Sequence, residues 1–139
     1  MDEEALRSGF ERGVKRWPGL RLSFEEFCRH ITTLGTGAAA PVGAAPELLP
    51  EDVEAVYLCA SCAARHDAAC RALELHYFAA LRPIIGRVDS RQDFVDEVLQ
   101  RLRVQLFAGE APKITGFTGR GPFERWLRTI ATRIAFRLK

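Results

Sequence analysis

A chain of 139 residues, 47% hydrophobic and 27% charged, can bury a core of its own and is too apolar to stay disordered. No apolar run approaches the roughly 18 residues of a membrane span, which argues against an integral membrane protein. The net charge of +2 conceals an asymmetry: residues 101–139 hold nine Lys/Arg against two Glu, a basic third on an acidic body. Such a third suits a polyanion, nucleic acid first, or is only a solvated helical face. Its 17 Arg against three Lys fit bidentate phosphate contacts, and equally a GC-rich genome.

Helical periodicity runs through most of the chain and strand alternation is absent, so the expected class is all-α. The acidic start, MDEEALRSGFERG, lacks the basic head and apolar middle of a signal peptide. With four cysteines, that predicts a cytoplasmic protein with free thiols. A first helix is expected over about 2–16, before Trp17-Pro18-Gly19. Ser23 and Glu26 form a capping box for a second helix, which Gly35 closes. The Gly- and Pro-rich stretch 36–49 reads as a flexible linker, dividing an N-terminal helical extension and linker (1–49) from a main helical domain (50–139).

From Glu51 the pattern resumes. Residues 51–65 predict one helix and residues 67–88 another, with a kink or restart near Pro83. Ser90 is the expected cap of the next helix, which runs to about Phe107 with Asp93 in its first turn. Its core stripe is Phe94, Val95, Val98, Leu99, Leu102 and Leu106. Its far face carries Asp96, Gln100 and Arg103 with the apolar Val104 and Phe107, either a partner surface or the seat of the N-terminal extension. A loop of some 14 residues follows, long enough to suggest a function. Gly121-Pro122 opens the last helix. There Phe123, Leu127, Ile130, Ile134 and Leu138 share one arc at about 100° per residue, with Arg125, Arg128, Thr129, Thr132 and Lys139 opposite. Trp126 borders the apolar arc, with Arg133 and Arg137 further along. Such an aromatic either plugs the core or stacks a base between cations.

Cys59 and Cys62, with His66 and Cys70 nearby, have a spacing that permits three metal ligands. Their Ala- and Leu-rich surroundings favour packing, and no metal or cofactor is expected. No phosphate-cradling glycine loop, nucleophile elbow or paired carboxylates point to catalysis, so the chain reads as a non-enzyme.

The stretch 93–103, DFVDEVLQRLR, and the stretch 119–138, GRGPFERWLRTIATRIAFRL, resemble region 2 of bacterial RNA polymerase sigma factors of the extracytoplasmic-function type. Asp93, Val95, Glu97, Val98, Arg101 and Leu102 match the first motif of that region. Gly121, Trp126, Leu127, Ile130 and Ala131 match the second. Residues 58–85 resemble its opening helix pair, with Asp67 at a turn that is usually Gly-Asp. The likeness covers about 52–139. Asp96, Leu99 and His66 depart from the usual Gln, Phe and Gly, and the loop 108–121 is longer than is common. The family's second DNA-reading domain, a helix-turn-helix, has no counterpart in these residues.

The resemblance implies a bundle of the sigma region 2 type and a cytoplasmic bacterial protein. It also implies docking on the clamp coiled coil of core RNA polymerase through Asp96, Gln100, Arg101, Arg103, Val104 and Phe107. The unpaired non-template strand of the minus-ten promoter element would be held by Lys113, Thr115, Phe117, Thr118, Arg120, Arg125, Trp126, Arg128, Arg133 and Arg137. An anti-sigma factor is a further implied partner. Two other readings stand beside it: an adaptor or anti-sigma-like regulator without promoter recognition, and a helical interaction domain with coincidental motifs.

Overall fold

The computed structural model describes residues 3–36, 50–110 and 112–139. The expected linker falls almost wholly on 37–49, outside the described residues. Helices α1 (Glu3–Arg16), α2 (Phe24–Thr36), α3 (Val53–Ala63), α4 (Asp67–Leu73), α5 (Ala79–Gly86), α6 (Gln92–Phe107) and α7 (Phe123–Leu138) follow one another, with no strand among the described residues. The protein is all-helical, as its periodicity predicts.

Helix α3 is the axis of the core. From Val53 to Cys62 every residue but Glu54 is buried, the mark of a helix covered on all sides. Helices α1, α2 and α4 and the loop before α7 pack around it. Helix α1 comes close because Gly13 has no side chain; a Cβ there would overlap the ring of Tyr57. Trp17, which follows α1, is 5% exposed and donates its indole N–H to the Glu54 carbonyl at 3.1 Å. The Tyr57 hydroxyl donates to the Leu20 carbonyl at 3.4 Å, and Phe10 packs on Phe24, Phe27 and Tyr57. Residues 3–36 therefore share one hydrophobic core with residues 50–139. The seat of these N-terminal helices is α3 rather than the outer face of α6. The reason lies in α3, whose apolar surface runs all the way round and cannot be covered by the later helices alone.

The capping box is present: Ser23 and Glu26 exchange two hydrogen bonds of 3.0 Å, backbone N–H to side-chain oxygen in both directions. Helix α3 ends in a Schellman turn, with the His66 N–H on the Ser61 carbonyl and the Arg65 N–H on that of Cys62. Arg65 takes the left-handed position there, at φ 63°, where glycine is the usual occupant.

No break occurs at Pro83, which sits inside α5. The irregularity lies one turn upstream, where Glu74–Phe78 form a π turn joining α4 to α5. The Ala79 N–H donates to the Glu74 carbonyl, five residues back. This widened turn adjoins the carbonyl of Ala79, which the proline ring crowds, and the helical backbone runs on through Pro83. The cap of α6 also differs from expectation. Arg91 is the cap, with no side-chain cap bond, and the Asp89 carboxylate accepts its backbone N–H at 3.0 Å, an Asx-type turn into the helix.

Candidate nucleic-acid interface

The loop before α7 is folded onto the start of α3. Ile114, in a 3₁₀ turn at Lys113–Gly116, is fully buried, and Phe117 is 1% exposed. Gly119 adopts φ +84° and presses against Pro50 and Val56, where a Cβ would collide. Its carbonyl accepts the Asp52 N–H at 2.9 Å. The Asp52 carboxylate then serves two helices: Oδ1 accepts the Ala55 N–H of α3 at 3.3 Å and Oδ2 the Phe123 N–H of α7 at 3.0 Å. One side chain thus satisfies orphan donors of both first turns and fixes where α7 leaves the loop. Pro122 is the cap of α7 rather than its first residue.

This anchoring decides which candidate residues face outward. Lys113, Thr118, Arg120, Arg125, Arg128, Arg133 and Arg137 are exposed. None of these cations has an ion pair among the described residues. Arg125 to Arg137 extends along about 18 Å of helix at 1.5 Å per residue. Three candidates face inward or are engaged. Phe117 lies 4.9 Å from the ring of Phe123 and 5.4 Å from that of Trp126, centroid to centroid. It is a core residue and offers no face to a base, a correction to its expected role. Trp126 is half-buried and stacked on Phe123 at 5.7 Å and 21°, so it buttresses the loop. The Thr115 hydroxyl donates to the Pro112 carbonyl at 2.7 Å, which uses its proton within the turn.

One exposed aromatic went unassigned from sequence. Phe136 is 66% exposed on the outer face of α7. Helical phase could have found it: eleven residues at about 100° return it to within about 20° of Arg125. Its apolar type hides it among core candidates. Between α5 and α7 lies an apolar groove of about 300 Å³, floored by Ala80, Leu81, Ile84 and Leu127 and bordered by Arg125 and Arg128.

The outer face of α6 is more occupied than its sequence suggests. Asp96 is paired with Arg82 at 2.7 Å and Arg101 with Glu97 at 2.9 Å. Arg103 makes a two-pronged contact with Glu74 of the π turn, Nη2 to Oε2 at 2.9 Å, and also reaches Gln100. Its guanidinium lies 5.4 Å from the Phe78 ring, so Arg103 ties α6 to the π turn rather than standing free. Val104 is 53% exposed, and Phe107 is half-buried against the core. On the adjacent π turn Leu75 is 73% exposed, a large apolar side chain that sequence left unassigned.

Cys59 and Cys62 lie in the core, where burial pushes both thiols well above the ordinary range. Such thiols are packing groups rather than nucleophiles. Among the described residues no three His, Cys, Asp or Glu come together as metal ligands, and no helix is long and apolar enough to cross a membrane. Comparison with protein-family models, curated proteins and solved structures returns no match.

Proposed function

We propose that this chain is a sigma-factor domain of the extracytoplasmic-function type, which binds core RNA polymerase and holds the unpaired minus-ten strand of a promoter. The observation that carries the reading is the outer face of α7, where Arg125, Arg128, Arg133 and Arg137 stand exposed and without ion pairs among the described residues. Lys113, Thr118 and Arg120 extend that face along the anchored loop. Unpaired cations along a rigid helix suit the phosphates of a single strand, whose flexible backbone can adapt to their fixed spacing. The exposed Val104, with Gln100 beside it on α6, supports a protein partner, which the reading assigns to the polymerase clamp.

The test is promoter opening by reconstituted holoenzyme. Arg125→Ala and Arg133→Ala are expected to slow opening and to lower the salt slope of strand binding by about 0.7 per lost phosphate contact. Val104→Glu is expected to weaken polymerase association with helicity intact. Polymerase binding with no effect of either arginine change on opening would favour the adaptor reading, which rests on the same α6 face.

A further inference from the structure

We propose that Phe136 is a stacking platform for one unpaired nucleobase, with the phosphates beside that base held by the arginines around it. The inference rests on the single-strand reading of α7 and adds to it a base-contacting residue. Of the nine phenylalanines in the chain, Phe136 alone is exposed; the other eight are buried or half-buried. Among the described residues neither ring face is engaged: the aromatic contacts and the cation–π contacts all fall on other rings.

Its setting selects the ligand. Arg133 lies three residues before Phe136 and Arg137 one after, and Arg125 shares its face about 16 Å along the axis. A purely apolar partner would have to desolvate those guanidinium groups without pairing them, which is costly. A second copy would bring like charges face to face. A strand of nucleic acid offers both complements at once, a π surface for the ring and phosphates for the cations. Because every base has a π face, the contact adds affinity without choosing sequence. Phe136 takes the stacking part that Phe117, buried beneath the loop, does not play.

The test uses the full chain and a labelled single strand of about 12 nucleotides, followed by anisotropy at low salt. Phe136→Ala is expected to weaken binding by about 5- to 150-fold, the effect of one lost base stack. Its salt slope and thermal midpoint should match wild type, because an exposed ring contacts no phosphate and supports no core. Phe136→Trp should retain affinity, and Phe136→Leu should lose it despite similar apolar area. Abasic scanning of the strand should reveal a position whose base matters to wild type and not to Phe136→Ala. If Arg125→Ala and Arg133→Ala lower the slope while Phe136→Ala binds as wild type, the strand reading survives and this inference is overturned. Equal binding by Phe136→Leu overturns it as well. Absence of single-strand binding by wild type removes both, whereas a Phe136→Ala effect seen only in sedimentation overturns this inference alone and marks a contact between copies.

Discussion

Asp52 ties the start of the core helix to the start of the basic helix through a single carboxylate. Its two oxygens accept from the Ala55 and Phe123 N–H groups, and its own N–H donates to the Gly119 carbonyl. Helix-capping side chains contribute roughly 1 kcal/mol each when replaced by Ala, so Asp52→Ala is expected to cost about 2 kcal/mol. Asp52→Asn retains one carbonyl oxygen and should cost about half as much. Urea unfolding checks this: the midpoint should fall in the order wild type, Asn, Ala with the slope unchanged. The consequence for function lies on the same link, because the cap sets the direction in which Arg125 and Arg128 leave the loop. Loss of the cap should therefore also weaken strand binding more than the stability change alone explains.

Among the elements, what was legible in sequence is what periodicity and local capping control. The amphipathic arcs of α6 and α7 and the Ser23–Glu26 box are set by residues within a turn or two of one another. The π turn was not legible, because Pro83 announces a disturbance without saying where the helix absorbs it. Nor was the inward turn of Phe117, since a loop has no period and its side chains are placed by distant partners, here Phe123 and Trp126. The α6 face was half legible: its charges were visible, but Arg103's partner Glu74 is 29 residues away.

Asp89 shows the same long-range dependence. Its carboxylate pairs with Arg91, Nη2 to Oδ2 at 2.7 Å, and with Lys139 at 2.8 Å, so it joins the start of α6 to the end of α7. These bonds, the Arg91 side chain first and Lys139 next, hold the carboxyl well below the usual carboxylate range. With the folded value depressed, the unfolded chain takes up the proton first. The contribution is full above the unfolded value near about pH 3.9 and is lost as pH falls towards the folded one. Asp89→Asn should accordingly be less stable than wild type at neutral pH, with the gap closing as the solution is acidified below about pH 4. Unfolding curves of the two proteins over that range measure it; a gap independent of pH would mean that shape rather than charge holds the turn.

At the scale of the whole molecule, the apolar face of α7 and the N-terminal helices belong to one contiguous hydrophobic core. Trp17 is the joint. It packs edge-on against His76 at 5.1 Å, contacts Tyr77 at 6.2 Å, and hydrogen-bonds to α3 through Glu54. Tyr77 in turn meets Phe123 of α7 at 4.8 Å, so a chain of rings leads from α1 to the basic helix. Truncating a buried Trp to Ala removes about 3–5 kcal/mol, a large share of the 5–15 kcal/mol typical of a whole domain. The chain has two tryptophans, so Trp17→Phe leaves Trp126 as the sole indole, placed at the start of α7. The expected outcome is one transition: Trp126 fluorescence and far-ultraviolet circular dichroism should lose structure together, both at lower denaturant than in wild type. An N-terminal unit independent of the rest would give the opposite, a Trp126 signal unmoved by the change at Trp17. Loss of both signals in one transition would mean that residues 3–36, remote from the cations, help to hold α7 in place.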